Sequence, residues 1–302
     1  MTDISNTENT NNSKITIICS TLDLASQNIK THLLGLRSWE TLPLPEGKEF
    51  SMACESAEGR FRLVEIEEMH VFSDGIDKKL EEAGLPASLI IFASKHKSKQ
   101  EVKSLTVHCT GNSSDEARLG GRPKELAVAA PAAMKSILMA MKELAAEKGL
   151  DYDVTLEVTH HCPTELAVPS LYAEIGSTEE QWEKPVPGEV VAKAILAVSL
   201  EKVPTAVGFG GGHYATRQTG LVLETEVAFG HNFPKYQLEF VDEALVRQAV
   251  EKSKADFVYF DRKSMKSEDR KRITEIIRKL DLPVLKESEI RGIYSVEGPE
   301  EA

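Results

Sequence analysis

Histidines gather near the ends of the predicted strands of this 302-residue chain. Six of its eight histidines lie at or just beyond such an end: His96, His108, His160, His161, His213 and His231. A neutral imidazole binds metal ions, and the group also transfers protons near neutral pH. Because ligands of open α/β sheets bind beyond the carboxyl ends of the strands, we expect these side chains to line one site there.

The densest group of potential ligands is EVTHHCPTE, residues 157–165. Adjacent side chains of a strand point to opposite faces, so His160 and His161 reach one metal ion only if the strand has already ended. The same alternation separates Glu157 from His160, and the chain contains no HExxH metal-binding motif. A metal site and a pair of hydrogen-bonded histidines at a strand end both remain open.

A glycine-rich segment, VGFGGGHYATR at residues 207–217, follows another predicted strand. It is not a dinucleotide-binding fingerprint, because His213 stands where the last glycine is required, and no Gly-Lys-Ser/Thr follows. Consecutive glycines let a ligand approach the backbone and offer N–H groups to an anion. Gly211 and Gly212 are therefore candidate oxyanion donors with His213 on the rim, and a tight structural turn is the alternative.

Any contact with a polyanion must come from local basic segments, because the net charge is -12 and general polyanion binders are basic. The predicted loop FGHNFPKYQ, residues 229–237, offers Lys235 to a phosphate and His231 to a metal. Two further segments are rich in basic residues: 94–103, with Lys95, Lys97 and Lys99, and 262–279, which begins with Arg262 and Lys263. A solvated loop and an exposed helix face are the alternative interpretations.

Attack by a side-chain nucleophile has little support in the sequence. There is no GxSxG elbow, and Ser113 and Ser114 fit hydrogen bonds to a ligand better than nucleophilic attack. The four cysteines form no CxxC pair, so we interpret them as buried free thiols of a reduced cytosol. Water activated by a metal ion is the simpler mechanism.

The elements that must position these residues alternate between strands and helices. Apolar runs such as KITIICS at residues 14–20 predict strands, and helical spacing is clearest at 131–148. The alternation predicts an α/β fold with a mixed, largely parallel sheet. We expect one compact domain over 14–302, and an Asn/Thr-rich disordered tail over 1–13. If a boundary exists, it falls near residues 182–188, where two prolines cluster.

No apolar run approaches the roughly 20 residues needed to span a bilayer, and the N-terminus does not read as a signal peptide. We therefore expect a cytoplasmic protein with no membrane partner, and a monomer.

Together the motifs resemble those of the archaeal-type D-aminoacyl-tRNA deacylases, which also occur in plants. Six segments carry the resemblance in order along the chain: SKHKS (94–98), VHCTGN (107–112), EVTHHCPTE (157–165), EIGSTEEQW (174–182), GFGGGHYATR (208–217) and GHNFPKY (230–236). It implies a phosphorylase/peptidyl-tRNA-hydrolase-like α/β fold, zinc as cofactor and hydrolysis of mischarged D-aminoacyl-tRNA. Cys162 replaces a glycine common in the family, and Thr216 replaces an expected proline.

On this basis we predict three sets of site residues. The zinc ligands are drawn from His96, His108, His160, His161 and His231. The catalytic groups are Glu157, Glu174, His213, Gly211 and Gly212. The tRNA contacts are Lys95, Lys97, Lys99, Lys235, Arg262 and Lys263. The alternatives are a peptidyl-tRNA hydrolase or nucleoside-phosphorylase-like enzyme on the same fold, and a non-catalytic, zinc-stabilised RNA-binding module.

Overall fold

The computed structural model describes residues 14–45, 49–117 and 119–296. The tail predicted to be disordered, 1–13, lies outside these residues. An eight-stranded sheet dominates the fold, with strand order β2-β3-β4-β1-β5-β10-β6-β9. Its strands are β1 (Lys14–Ser20), β2 (Trp39–Thr41), β3 (Phe50–Ser56), β4 (Phe61–Ile66), β5 (Ala87–Lys97), β6 (Ser104–His108), β9 (Asp153–Leu156) and β10 (Ser170–Ser177).

The centre of this main sheet is parallel, and its edges are mixed. Strands β4, β1, β5 and β10 run parallel, β6 is antiparallel to β10, and β9 is parallel to β6. Strands buried on both faces form nearly continuous apolar runs, which explains why KITIICS was recognisable as β1. The predicted α/β class with a mixed, largely parallel sheet is confirmed.

A second sheet, with order β12-β11-β13-β14, is entirely parallel. Its strands are β11 (Thr205–Phe209), β12 (Ala228–Phe233), β13 (Phe257–Phe260) and β14 (Val284–Leu285). A small antiparallel pair, β7 (Gly111–Asn112) and β8 (Glu125–Leu126), follows β6. The segment 229–237 was predicted to be a loop, but its first half belongs to the buried strand β12.

Helices cover the two sheets. They are α1 (Leu24–Leu36), α2 (Ile76–Glu82), α3 (Pro131–Glu147), α4 (Glu179–Trp182), α5 (Pro185–Leu196), α6 (Thr216–Glu224), α7 (Glu243–Ser253), α8 (Ser267–Arg278) and α9 (Glu287–Ile293). The proposed boundary near 182–188 is the start of α5, where Pro185 occupies the first turn and needs no backbone donor. Within the described residues, no helix has the length and hydropathy needed to cross a membrane.

The two sheets meet along the segment that follows β9. The Val158 amide donates to the His213 carbonyl at 3.0 Å, and the Thr159 amide donates to the Asn232 carbonyl at 2.8 Å. This segment therefore extends from the main sheet to the loops after β11 and β12. As a consequence, residues far apart in the chain converge between the two sheets.

Candidate metal and catalytic centre

One face of the main sheet carries the side chains at the heart of the site. Glu174 of β10 lies between Ser94 of β5 and Thr106 of β6 in the strand register. His96 and His108 stand two residues farther along β5 and β6, and alternation puts them on the same face as Glu174. Because β6 runs against β10, these positions do not share a carboxyl edge. His96 and His108 do lie at the carboxyl ends of their own strands, but these ends point in opposite directions, so the site lies over a face of the main sheet and not beyond one common edge.

Glu157 is the hub of this site. It directly follows β9, and its side chain is fully buried. One carboxylate oxygen lies 3.0 Å from His96 Nδ1, and the other lies 2.9 Å from His213 Nε2. The second oxygen is also 3.5 Å from His160 Nε2. Glu157 thus joins the main sheet to the glycine-rich loop after β11.

Three histidines, His108, His160 and His161, cluster beside this hub, with one ring nitrogen of each within 4.8 Å of the others. The Nδ1–H groups of His108, His160 and His161 donate to the carbonyls of Cys109, Val158 and Cys162, at 3.1, 2.7 and 2.7 Å. A neutral ring that donates through Nδ1 keeps a lone pair on Nε2, and metal-binding histidines in proteins are commonly held this way.

The convergence of His160 with His161 depends on where β9 ends. The strand stops at Leu156, and His160 forms only an isolated bridge to Thr110. His161 then takes a left-handed backbone conformation with φ 42°. Strand alternation no longer applies, so both rings turn to the same side, and their centroids are 4.4 Å apart.

Glu174 completes the centre from β10. It lies 3.5 Å from His108 Nε2 and 3.8 Å from His96 Nδ1, and it accepts a hydrogen bond from Thr106 Oγ1 at 3.4 Å. Among the described residues, three overlapping sets place their ligand atoms within 4.8 Å of one another: His108–His160–His161, His96–Glu157–His213 and His108–Glu157–Glu174. We call these seven residues the histidine–glutamate centre.

Several buried atoms of the centre have no hydrogen bond. Both oxygens of Glu157 and the Nε2 atom of His108 are unsatisfied although they are buried. The histidine nitrogens near Glu157 are within ion-pair distance but do not have hydrogen-bond geometry. An unsatisfied buried carboxylate is strongly unfavourable, whereas a cation between these lone pairs would satisfy them together. The donor set therefore fits a metal ion bound by nitrogen and oxygen ligands.

The pKa shifts of Glu157, His160 and His161 suit the same role, whereas that of His108 favours its protonated form. Burial by itself raises the pKa of Glu157, but the facing His213 and His96 lower it well below its ordinary value. Burial, with the nearby His108, lowers the pKa of His160 strongly and that of His161 to about 4. Burial acts to lower the pKa of His108, but the facing Glu174 outweighs it and leaves the pKa raised. Ionised carboxylates and neutral imidazoles are the forms that bind metals.

His231 is not part of the centre. It lies on β12 and is completely buried. Its Nδ1 contacts Thr159 Oγ1 at 3.0 Å and Cys109 Sγ at 3.2 Å, and its Nε2 lies 3.0 Å from the Ala127 carbonyl. Both ring nitrogens thus have protein partners, and no described set of possible ligands includes this residue. Its prediction as a zinc ligand is corrected: it holds β12 in place.

The glycine-rich loop supplies fewer free donors than predicted. The Gly210 amide donates to the Phe233 carbonyl at 2.8 Å, and the Gly211 amide donates to Ser264 Oγ at 2.6 Å. Gly211 is therefore not an oxyanion donor, which corrects that prediction. The Gly212 amide has no hydrogen-bond partner within the described chain, and the next residue is His213 of the centre.

The predicted tRNA-contacting residues fall into two environments. Lys95 lies over the Trp182 ring, with Nζ 5.1 Å from the ring centroid, so it already has a partner. The others are exposed and form no ion pair with any residue the structure describes: Lys97, Lys99, Lys235, Arg262 and Lys263. The Lys235 amide donates to the Gly211 carbonyl at 3.0 Å, and Ser264 next to Lys263 accepts from Gly211. Basic residues thus flank the loop that carries His213.

Sequence reasoning missed two aromatic residues that hold the centre. The Tyr214 hydroxyl lies 3.1 Å from His96 Nε2, and Tyr172 stacks on His108 with ring centroids 5.1 Å apart. Tyr214 follows His213 directly, so its place in the motif was the available signal. Tyr172 gives no such signal, because only the register of β10 against β6 brings it to His108.

Comparison with known proteins gives consistent matches. A family model described as D-aminoacyl-tRNA deacylase matches residues 83–285, which include every residue of the centre. The D-aminoacyl-tRNA deacylase of Methanosarcina acetivorans is 78% identical over 297 residues, covering 98% of this chain and 100% of that protein. The one from Archaeoglobus fulgidus is 38% identical, covering 91% and 97%. A crystal structure described as a conserved protein of unknown function aligns with a TM-score of 0.87 at 38% identity, covering 94% and 99%.

Proposed function

The chain belongs to the D-aminoacyl-tRNA deacylase family, and on this premise we propose that its histidine–glutamate centre hydrolyses the ester between a D-amino acid and tRNA. The products are the free D-amino acid and tRNA, so the reaction removes mischarged tRNA from translation. The observation that carries the proposal is the convergence of two buried glutamates and five histidines within the matched region.

We propose zinc as the ion that this donor set binds, with His108, His160 and His161 as ligands and with Glu157 and His96 beside them. Imidazole and carboxylate ligands of this kind are typical of zinc sites. A bound zinc ion supplies Lewis acidity and lowers the pKa of water toward about 7. Glu174, whose carboxylate lies 3.5 Å from His108 Nε2, would balance the positive charge of a bound ion.

His213 is the proposed proton acceptor and donor. Its side chain is 36% exposed, whereas the other members of the centre are more buried, so it can reach both water and substrate. Glu157 lies 2.9 Å from its Nε2 and places a buried negative charge beside the ring, which favours proton uptake by His213. The Gly212 amide is the proposed donor to the negative charge that develops on the ester oxygen.

The tRNA is proposed to lie across the basic residues beside the glycine-rich loop. Lys235, Arg262 and Lys263 flank that loop, and Lys97 and Lys99 extend the surface past His96. Phosphate contacts of this kind position a nucleic acid without reading its sequence. Chirality is read by shape, with the side chain of one enantiomer excluded from the site.

We further expect the protein to be cytoplasmic and monomeric. Light scattering can establish its oligomeric state in solution.

The test measures release of tyrosine from D-Tyr-tRNA and L-Tyr-tRNA by the full chain. We expect fast loss of the D-ester alone, abolished by a chelator and restored by zinc. His213→Ala should lower the rate in the zinc-loaded protein without unfolding it. If the folded, zinc-loaded wild type releases no tyrosine selectively from the D-ester, the proposal fails. If release survives complete chelation, the metal has no catalytic part.

A further inference from the structure

Two aromatic side chains are exposed among the described residues: Phe72, 59% exposed, and Tyr236, 51% exposed. Most other aromatic rings of the described chain pack in the core or against the histidine–glutamate centre. Tyr236 lies three residues beyond the end of β12, in a segment that carries no catalytic residue of its own. About half of the surface of Tyr236 is therefore open to solvent, and the proposed chemistry does not use it.

Tyr236 follows a residue that is hydrogen-bonded to the glycine-rich loop of the centre. The preceding residue, Lys235, donates its amide to the Gly211 carbonyl at 3.0 Å, and Gly211 is two residues from His213. Partial burial and, to a smaller extent, the charge of Glu157 raise the pKa of the Tyr236 phenol. The exposed Tyr236 thus lies next to a residue that is hydrogen-bonded to the loop carrying His213.

The neighbour of Tyr236 adds a second recognition element. Lys235 is exposed and has no ion pair within the described chain. A cation next to a free aromatic face matches a nucleotide, because the cation meets the phosphate and the ring stacks on the base. In an aminoacyl-tRNA, the ester is carried by the ribose of the terminal adenosine. An adenine and its 5′-phosphate therefore lie only a few bonds from the carbonyl to be hydrolysed.

We propose that Tyr236 is the stacking platform for the terminal adenine of the substrate, with Lys235 at the adenosine 5′-phosphate. This inference rests on the proposed function, because it assigns a subsite to the same centre. It makes Tyr236 a binding residue for the leaving nucleotide, which holds the ester at His213 and Glu157. Stacking of a base on an aromatic side chain contributes about 1–3 kcal/mol, which corresponds to a change in affinity of roughly 5- to 100-fold.

The other exposed aromatic residue provides a matched comparison. Phe72 lies near Gly120, and the adjacent Leu119 is an exposed apolar residue. The nearby Arg122 is already paired with Glu165. Within the part of the chain that the structure describes, Phe72 therefore lies beside apolar surface and near an arginine that already has a partner. Phe72→Leu removes an exposed ring of similar size and leaves the Lys235–Tyr236 pair intact.

The experiment compares the binding of AMP with that of ribose 5-phosphate, which carries the same phosphate without the base, by titration calorimetry on the zinc-loaded full chain. We expect AMP to bind about 5- to 100-fold more tightly to the wild type, to Tyr236→Phe and to Phe72→Leu. In Tyr236→Leu this preference should disappear. The same variant should raise the KM for D-Tyr-tRNA by a similar factor and leave kcat within about twofold.

Three results would overturn the proposal. They are equal affinity of the wild type for AMP and ribose 5-phosphate, a preference that survives Tyr236→Leu, and a preference lost in Phe72→Leu instead. Calorimetry needs no turnover, so it separates this inference from the proposed function. A wild type that prefers AMP but does not hydrolyse D-Tyr-tRNA would retain the adenine subsite and reject the deacylase activity.

Discussion

Glu157 and Glu174 determine the character of the centre at the scale of single residues. Each is almost fully buried, and each faces histidine nitrogens rather than lysine or arginine. A buried anion without a full set of hydrogen bonds is unfavourable, and a bound cation would offset that cost for both glutamates. The residue types pointed to this chemistry in the sequence, whereas the distances between them did not.

His231 illustrates the opposite case, a histidine kept for structure. Burial lowers its pKa to about 3, against 6.5 for the ordinary group. Between these values the unfolded chain binds one proton more than the folded chain. The free energy of unfolding therefore falls as the pH drops from about 6.5, by about 1.4 kcal/mol per pH unit for this residue.

We predict that His231→Gln lowers the free energy of unfolding at pH 7.5. Below about pH 6.5 the same variant should lose about 1.4 kcal/mol per pH unit of the pH dependence, which is the contribution of one proton. Urea unfolding at several pH values between 5 and 7.5, on chelated protein so that metal binding does not contribute, would measure it. Thr159→Val is the control, since it removes a partner of His231 and keeps the imidazole. An unchanged slope in His231→Gln would contradict the assigned protonation state.

At the scale of elements, the ends of strands position the site. β9 stops early enough for His160 and His161 to turn together, and the loop after β11 carries His213 to Glu157. That loop is held on both sides, by Ser264 at the Gly211 amide and by Lys235 at the Gly211 carbonyl. The predicted strands and helices were close to the observed ones where apolar periodicity was strong. The sequence did not predict β10, because its buried Glu174 interrupts the apolar pattern of the strand.

The glycines of this loop are not equivalent. Gly211 has φ 88°, a backbone conformation that residues with a side chain rarely adopt. An added Cβ would nevertheless meet no atom closer than 3.8 Å. Gly212 has an ordinary φ and open space around it. We predict that Gly211→Ala lowers the free energy of unfolding by about 1–3 kcal/mol through backbone strain. Gly212→Ala should change it by less than about 0.5 kcal/mol. Urea unfolding measures both, and equal losses would rule out this explanation.

At the scale of the whole molecule, a net charge of -12 requires any tRNA contact to be local. Much of the predicted basic segment 262–279 is occupied within the protein. Arg278 pairs with Glu275, Lys279 pairs with Glu243, and Arg272 donates to backbone carbonyls. The start of the segment, with Arg262 and Lys263, stays free beside the glycine-rich loop. Only a small part of the positive charge in segment 262–279 is therefore free to contact tRNA.

We predict that tRNA affinity falls with salt and that Lys263→Ala reduces the slope of log K against log salt by about 0.7–0.9, the value for one phosphate contact. Lys279→Ala is the matched control, since this lysine already pairs with Glu243 and should leave the slope unchanged. Filter binding of tRNA between 50 and 300 mM salt, roughly the range in which such slopes are resolved, gives both values. Equal slopes for Lys263→Ala and the wild type would exclude this contact.

The sequence alone determined the α/β class, the family resemblance and the chemical types at the site, because these depend on local apolar periodicity and on residue identity. It placed His96, His108, His160, His161 and His213 near strand ends. Only the tertiary structure decided that His231 is a core residue, that Gly211 has no free amide and that Tyr236 is exposed. The physical reason is that strand direction, register and the path after β9 arise from contacts between residues far apart in the chain, which local sequence patterns do not encode.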